Sequence, residues 1–270
     1  MRVNQKDGVE WLTFPHLSGC GGILHGFATR KGGVSTGIWS EMNLSFSRGD
    51  DPEAVKENYR RISSAIGFSP EQIVSTDQTH TVNVRRVDRT SCGSGVTRER
   101  EFRDVDGLIT NDPEVVLAAY SADCVLLFFY DPVRRCIGLT HSGWRGTVGR
   151  IGAVTVHKMQ EEFGTDPADL LVGIGPSICR DCYEVGGEVI DAVRKLFPDQ
   201  IAETLYDRKK NGKFQLDLWE TNRQILLACG VLTGKIRTSG ICTCCNPDYL
   251  FSHRASQGRR GNAGGFLKLC

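Results

Sequence analysis

A thiol and an imidazole flank two apolar segments in the middle of the chain, at Cys124 and His141. The segments VLLFFY (125–130) and CIGLT (136–140) are joined by the turn-like DPVRR, which predicts an antiparallel hairpin. With the loop centred at Val133, cross-strand partners have numbers that sum to 265 or 266, and a sum of 265 places the thiol opposite the imidazole. Directly opposed Cβ atoms lie about 5 Å apart, which suits two ligands of one metal ion.

The same register predicts a face shared by further side chains, because residues alternate between the two faces of a strand. It places Leu126 opposite Leu139 and Phe128 opposite Ile137, on the face that carries the thiol and the imidazole. Taken alone, Cys124 would be typical of a core cysteine and His141 of a surface histidine. Their pairing beside the Ser-Gly-Trp-Arg-Gly turn favours a functional site.

A third candidate ligand, His80, stands in DQTHTVNVRRV just before a predicted strand that carries Val82, Val84 and Val87. Nothing local brings this imidazole near the other two residues, so a polar loop histidine remains an alternative. A His, Cys, His set would leave the fourth position of a tetrahedral Zn²⁺ open, as in catalytic sites. Such an ion lowers the pKa of bound water or polarises a substrate oxygen.

Three basic, glycine-containing segments could bind an anion. In HSGWRGTVGRI, Arg145 offers a bidentate contact, and a helix beginning near Gly146 would direct free N–H groups at a ligand. Trp144 is more typical of a core anchor than of a stacking platform. A glycine-rich basic loop alone is a weak signal, and a surface turn is an equally good interpretation. The other two segments are FATRKGGVSTG (27–37), with Arg30, and FSHRASQGRR (251–260), with Arg254 and Arg259.

Cysteine usage points away from a disulfide-stabilised protein. The chain contains 11 cysteines, an odd number, and its N-terminus, MRVNQKDGVE, lacks the apolar core of a signal peptide. The CTCC cluster at 242–245 lacks the paired C-x-x-C spacing of a zinc ribbon. We therefore expect Cys242, Cys244 and Cys245 to be partly buried structural cysteines.

Length and charge limit the classes of function. The chain of 270 residues can bury a real core, and we expect a single domain over 1–270. Lys and Arg number 33 against 32 Asp and Glu, so no overall field favours nucleic acid or an anionic membrane. The apolar runs are too short to span a bilayer. We expect a cytoplasmic protein that is a monomer or a weak homodimer.

Periodicity predicts an α+β fold, with a mixed β-sheet core and flanking helices. The clearest helix, 51–67, has Asp51 as N-cap, Pro52 at its first position and Gly67 at its end. Further helices are predicted over 147–163, 184–197 and 217–229. Strands are predicted over 73–76, 82–87, 115–120, 125–130, 136–140, 171–174 and 236–241, with a last one at FLKLC.

The segments together resemble the YfiH/laccase-domain family, also described as multicopper polyphenol oxidase-like or as a purine nucleoside phosphorylase family. The resemblance covers nearly the whole chain, through GFATRKGGVSTG, MNLSF, DQTH, DGLIT, SADC, THSGWRG, VGIGPSI with CYEVG, and LFSHR…GR. It implies a single-domain, YfiH/CNF1-like fold and a zinc site formed by His80, Cys124 and His141. Two departures, Val-Leu-Leu where the family has Pro soon after ADC and Thr81 where it often has Gly, concern loop shape.

The resemblance further implies an enzyme that phosphorolyses purine nucleosides: adenosine or inosine and phosphate give the base and ribose 1-phosphate. Adenosine deamination and methylthioadenosine phosphorolysis are also associated with the family. The metal would position and polarise a reacting oxygen, and Asn43 would hydrogen-bond the base or the ribose. The predicted catalytic and metal-ligating residues are His80, Cys124 and His141, and the predicted substrate-binding residues are Asn43, Arg30, Arg145 and Arg254.

Three other functions stay open from the sequence. A copper polyphenol oxidase is suggested by the His₂Cys set, but a multicopper enzyme needs more ligands than the six histidines of this chain offer. A Cys-dependent hydrolase, such as a peptidoglycan-editing factor, would use Cys124 as nucleophile and His141 as base. A non-enzymatic binding module would turn over no nucleoside. No general acid or base can be named, since Asp123 is expected to point away from its neighbouring thiol.

Overall fold

The computed structural model describes all residues, 1–270, and shows fifteen strands, seven α-helices and six short 3₁₀ turns. The strands are β1 Arg2–Lys6, β2 Val9–Thr13, β3 Ile23–Ala28, β4 Ile73–Ser75, β5 Val84–Arg86, β6 Gly107–Thr110, β7 Val116–Ser121, β8 Val125–Asp131, β9 Cys136–Ser142, β10 Leu171–Ile174, β11 Glu184–Val185, β12 Tyr206–Arg208, β13 Phe214–Leu216, β14 Ile236–Thr238 and β15 Ala263–Leu269. The α-helices are α1 Pro15–Ser18, α2 Pro52–Ile66, α3 Trp144–Val148, α4 Ile151–Phe163, α5 Gly187–Arg194, α6 Asp199–Ala202 and α7 Leu218–Ala228.

Two six-stranded mixed sheets form the centre of the molecule, where the sequence predicts one. The first has the order β1-β2-β3-β15-β7-β4 and the second the order β14-β10-β8-β9-β6-β5. The pairs β4/β7, β5/β6 and β10/β14 are parallel, and the other pairs of these sheets are antiparallel. A third, three-stranded sheet has the order β11-β13-β12. The predicted α+β class with mixed sheets is therefore confirmed.

The two large sheets pack face to face over a common apolar core. Leu117 and Leu267 of the first sheet and Leu126, Phe128 and Leu139 of the second belong to one buried cluster. The outer face of the first sheet is covered by α2, and the outer face of the second by α4, α5 and α7. Both sheets are thus buried on two sides, which explains why their central strands are continuous apolar runs.

The predicted helix 51–67 is present as α2, with the expected ends. Asp51 is the N-cap, and its carboxylate accepts a hydrogen bond from the backbone N–H of Glu53. Gly67 ends the helix with a φ of 110°, a left-handed conformation that suits glycine. The predicted helix 217–229 also holds, since Asp217 caps α7 through the backbone N–H of Glu220. No helix of the molecule combines the length and the apolar character that crossing a membrane would need.

Two predicted helices are wrong in extent. The helix expected over 147–163 is divided into α3 and α4, because Arg150 takes a left-handed φ of 61° that interrupts the helical hydrogen bonding. The helix expected over 184–197 begins only at Gly187, since Glu184 and Val185 pair with β13. The sequence pattern also misses short strands, among them β1, whose residues are mostly exposed and carry no apolar alternation.

The central hairpin β8–β9 is present, but its register differs from the predicted one. Leu126 lies opposite His141 and Phe128 opposite Leu139, so paired numbers sum to 267 rather than 265. The turn is shorter than expected, because Asp131 still pairs with Cys136. Its carboxylate accepts the backbone N–H groups of residues 133 and 134 and closes a four-residue loop. A shift by two residues preserves the predicted face.

Candidate metal centre

Three side chains from distant segments meet at one end of the central hairpin. One ligand atom each of His80, Cys124 and His141 lies within 4.8 Å of the other two. The two imidazole rings stand edge to face, with centroids 5.0 Å apart. The structure thus brings together the three residues predicted to hold a metal, although the corrected register places Cys124 diagonally from His141 rather than opposite it.

The strand ends determine where the thiol and the imidazole lie. His141 is the next-to-last residue of β9 and is only 4% exposed. Cys124 directly precedes β8, and the chain enters it through Asp123, whose φ is 89°. The carboxylate of Asp123 accepts hydrogen bonds of 2.6 Å from the Thr243 hydroxyl and from the backbone N–H of Arg254. It therefore anchors the two neighbouring loops that contain Thr243 and Arg254.

Asp106, a fully buried carboxylate just before β6, orients two of the three candidate ligands. Its Oδ1 lies 2.8 Å from Nδ1 of His141, so the other ring nitrogen, Nε2, is left to face the centre. The carboxylate also accepts the backbone N–H groups of Thr79, His80 and Thr81 at 3.1, 3.2 and 2.9 Å. These three bonds fix the loop in which His80 takes a φ of 65°.

Electrostatic coupling between the side chains of the centre favours ionisation of Cys124 and protonation of His141. Burial of the Cys124 thiol opposes ionisation, but the adjacent imidazoles of His141 and His80 lower its pKa to about 6. Burial likewise opposes protonation of His141, while the Cys124 thiolate and the Asp106 carboxylate raise the pKa of this imidazole to about 9. A cysteine with this environment is a competent metal ligand or nucleophile.

The donor set and the space around it fit a divalent metal ion. Two imidazoles and a thiolate are preferred ligands of zinc, and the set leaves one coordination position for another group. Gly143 supplies the space, because a Cβ at this residue would lie 2.9 Å from Sγ of Cys124 and 3.1 Å from Cδ2 of His80. The backbone therefore approaches the centre where no side chain could.

A cavity of about 280 Å³ opens directly onto the three residues. Phe46, Tyr59 and Tyr120 form its aromatic part, and Gln78 and Asn262 contribute amides. Its cationic residues are Arg48, Arg100 and Arg260.

The three cavity arginines differ in how they are paired. Arg100 forms a 2.5 Å ion pair with Asp77. Arg260 is only 8% exposed, bonds to Gly261, Asn262 and His253, and leaves its Nε without a partner. Burial and the charge of Arg48 lower the pKa of Arg260 to about 10. Two cations without a carboxylate partner at one cavity indicate an anion-binding position.

None of the four predicted substrate-binding residues lines this cavity. The Arg30 guanidinium donates to the carbonyls of Ser40 and Pro247, and that of Arg254 donates to the carbonyls of Cys182 and Glu184. These two arginines therefore hold loops together.

The other two predicted substrate-binding residues are also engaged elsewhere. Arg145 is exposed and lies 4.5 Å over the ring of Trp144, which is half-buried. Asn43 is fully buried and joins Asp50 and Ser45 to the backbone of Asn262. The structure thus places none of the four in this cavity, and their role in substrate binding stays a prediction.

Sequence reasoning missed Asp106, Arg48 and Arg260. Asp106 stands in the DGLIT segment, where a carboxylate at the start of a buried strand was the available signal. Arg260 directly follows Arg259 in the third basic segment, and only its 8% exposure separates it from the exposed neighbour. Arg48 carried no signal, since it lies in a short 3₁₀ turn outside the quoted basic segments.

The interpretation of the CTCC cluster requires a correction. Two C-x-x-C pairs exist, Cys179–Cys182 and Cys242–Cys245, and the structure brings all four thiols within 4.8 Å of one another. The segment 242–245 alone does not indicate a four-cysteine site, because Cys179 and Cys182 lie about 60 residues earlier in the sequence. Cys244 is the member of CTCC that stays outside this group.

The protein is thus of the α+β class, with two packed mixed sheets. Its His–Cys–His set has the composition of a metal site and lies beside a cavity lined by arginines. The family model described as multi-copper polyphenol oxidoreductase laccase matches residues 24–270. The chain belongs to this laccase-domain family, which confirms the resemblance found in the sequence.

Relatives and solved structures agree with this membership. The purine nucleoside phosphorylase YlmD of Bacillus subtilis is 37% identical over 92% of this chain and 88% of its own length. The adenosine deaminase RL5 of an unknown prokaryotic organism is 31% identical over 86% of this chain and 88% of its own length. The crystal structure of the hypothetical protein YfiH of Bacillus licheniformis superposes with a TM-score of 0.92 at 32% identity, covering 99% of each chain.

Proposed function

We propose that the chain is a purine nucleoside phosphorylase whose metal is zinc. The observation that carries the proposal is one cavity in which a His–Cys–His centre faces Arg48 and Arg260, neither of which forms a salt bridge with a carboxylate. The relative named purine nucleoside phosphorylase YlmD, 37% identical over 92% of the chain, supports the choice of reaction. A phosphate oxygen bonds to C1′ of the ribose, the bond to the base breaks, and the phosphate proton ends on the released base.

Phosphate binds between Arg48 and Arg260. Arg260 and Arg48 supply two guanidinium groups at the same cavity, and each can give a phosphate a charge-assisted hydrogen bond. An anion there also stabilises the positive charge that develops on the sugar as its bond to the base breaks. The aromatic wall formed by Phe46, Tyr59 and Tyr120 suits the apolar faces of a purine.

The residues of the centre position the reacting oxygen. Asp106 fixes the ring of His141 and the loop of His80, so the ligand atoms hold their places without reorganisation during the reaction. A zinc ion held by His80, Cys124 and His141 would polarise a substrate oxygen as a Lewis acid. Metal ligation requires a Cys124 thiolate and neutral imidazoles, so binding of the ion would displace the proton that His141 holds beside the thiolate.

Base release with and without phosphate tests the proposal. Adenosine or inosine should give the free base and ribose 1-phosphate only when phosphate is present. Cys124→Ala should lose the metal ion of the His–Cys–His centre together with phosphorolysis, so that its metal content falls by one ion per chain. An unchanged metal content with lost activity would instead favour the Cys-nucleophile interpretation. Copper in the purified protein with dioxygen uptake would favour the polyphenol oxidase, and no turnover at all would favour a binding module.

The phosphate position has its own test in a pair of neighbouring arginines. Arg260→Gln should raise the KM for phosphate about 10- to 100-fold, because a charge-assisted hydrogen bond contributes about 1.5–3 kcal/mol. The KM for the nucleoside should change far less. Arg259→Gln, at the exposed adjacent residue, is the matched control and should leave both KM values unchanged. An unchanged KM for phosphate in Arg260→Gln would show that Arg260 does not bind phosphate.

Adenosine deamination is a second candidate, favoured by the relative named adenosine deaminase RL5. The two reactions separate cleanly, since deamination releases ammonia and inosine without phosphate, whereas phosphorolysis releases a base only with it. Measuring ammonia and free base in parallel assigns the activity. Methylthioadenosine belongs in the same assay as a third substrate. The cytoplasmic location, the oligomeric state and the single domain stay predictions.

A further inference from the structure

Four cysteines form a second cluster outside the cavity. Cys179 and Cys182 lie at the 3₁₀ turn that precedes β11, and Cys242 and Cys245 lie in the loop after β14. All four Sγ atoms lie within 4.8 Å of one another, with 3.4 Å from Cys182 to Cys245 and 4.0 Å from Cys179 to Cys245. Two C-x-x-C turns facing each other are the arrangement of a structural zinc site.

The distances match a tetrahedral tetrathiolate. Zn–S bonds of about 2.3 Å at tetrahedral angles separate the sulfur atoms by about 3.8 Å. All four cysteines are free, and the 3.4 Å between the sulfurs of Cys182 and Cys245 is too long for a disulfide, whose S–S bond is about 2.05 Å. The thiols are therefore spaced for an ion between them rather than for a covalent bond.

Backbone groups of the same turns already point at one of the sulfurs. Sγ of Cys242 accepts the N–H of Cys179 at 3.2 Å and the N–H of Cys245 at 3.3 Å. Such donors stabilise a thiolate and orient it, as the outer partners of metal ligands do. The two turns are also joined without their sulfurs, since the Thr243 N–H donates to the Ser177 carbonyl at 3.1 Å.

We propose that Cys179, Cys182, Cys242 and Cys245 bind one Zn²⁺ as a closed structural site, separate from the His–Cys–His centre. Four thiolates fill the tetrahedral coordination and leave no position for a substrate, so the ion stabilises rather than reacts. Its binding displaces the thiol protons and needs no oxidant or reductant.

The four-cysteine site joins two loops that also form hydrogen bonds with Asp123, next to the cavity. Asp123, which precedes Cys124, receives the Thr243 hydroxyl at 2.6 Å, and its carbonyl accepts the N–H of Ile178 at 3.0 Å. Both donors are neighbours of cluster cysteines. Loss of this zinc should therefore loosen the approach to the cavity as well as lower the thermal stability.

Zinc content of the full chain tests the proposal. Protein purified without chelator should hold two zinc ions when both sites are filled, and Cys179→Ser/Cys182→Ser should hold one fewer and melt at a lower temperature. Cys244→Ser changes the CTCC residue that lies outside the cluster and should lose neither zinc nor stability. Cys124→Ala, in contrast, should lose only the ion of the other centre.

A measurement on the unaltered chain covers the case in which the double variant fails to fold. The four cysteines should resist alkylation until a strong chelator is added, as mass spectrometry of the peptides would show, whereas exposed Cys20 and Cys270 should react at once. Equal zinc content in the double variant, iron in place of zinc, or alkylation of all four thiols independent of the chelator would overturn the proposal. So would disulfides among these residues in freshly purified, metal-free protein.

Discussion

Asp106 is the residue on which the geometry of the centre depends most. One buried carboxylate accepts from Nδ1 of His141 and from three successive N–H groups around His80. It thereby links a strand end to a loop that comes from another part of the chain. Burial opposes ionisation of this carboxyl, but the hydrogen bond from His141 and its charge hold the pKa of Asp106 below its usual value.

Asp106→Asn should weaken zinc binding about 10- to 100-fold and lower phosphorolysis with it. The amide loses the negative charge, and one of its two polar atoms becomes a donor facing N–H groups that need an acceptor. Competition with a chromogenic chelator measures the affinity. Asp104→Asn is the matched control at an exposed residue with a φ of 55°, which Asn tolerates, and it should bind zinc normally. Equal affinity in both variants would contradict this role for Asp106.

At the scale of the element, the central hairpin shows how far sequence reasoning reaches. The two apolar runs correctly predict the strands, and the period of two for side chains along a strand correctly predicts the face that carries His141. The pairing sum is wrong by two, since it depends on whether Asp131 belongs to the strand or to the turn. A side-chain bond to the backbone of the turn decides that, and periodicity carries no such information.

A second element-scale feature is the contact between β3 and the start of α1. His25 of β3 is 4% exposed, and its Nε2 accepts the backbone N–H of Phe14 at 2.8 Å, so the ring is neutral. Burial, and then the nearby His16, lower the pKa of His25 to about 4. Protonation of His25 would break this contact, so the stability of the fold should depend on pH at this position.

The free energy of unfolding should fall by about 2–3 kcal/mol between pH 7 and pH 4.5 through His25 alone. The unfolded chain takes up a proton at this residue below pH 6.5, whereas the folded chain does so only near pH 4. Stability is therefore lost as the pH falls through this window. Urea unfolding of His25→Gln, whose amide oxygen can accept the same N–H, should show a smaller loss. His157→Gln, at an exposed helix residue, should match the wild type; a match by His25→Gln would contradict the prediction.

At the scale of the whole molecule, the sequence predicts the class of fold but not the assembly of its layers. The α+β class follows from mixed periodicities, and the strongest helix, α2, follows from Asp51 and Gly67 at its ends. The division of the strands into two sheets does not follow, because β15 at the end of the chain inserts between β3 and β7. Likewise, the bond between His80 and Asp106 and the presence of Arg260 at the same cavity as His80 come from long-range packing that no local sequence pattern encodes.

The separation of the two sheets depends on Gly265 of β15, which gives the last prediction. A Cβ at this residue would lie 2.7 Å from Cδ1 of Leu126 and 2.9 Å from Cζ of Phe128, both fully buried in the opposite sheet. Gly265→Ala should therefore lower the free energy of unfolding by about 1–3 kcal/mol in urea, since an overpacked core must shift side chains or backbone. Gly234→Ala is the control, with no atom within 4 Å of its Cβ, and should change stability by less than about 0.5 kcal/mol. Equal stability of the two variants would contradict the prediction, because it would mean that the packed sheets accommodate the extra methyl group without cost, unlike a close-packed interior.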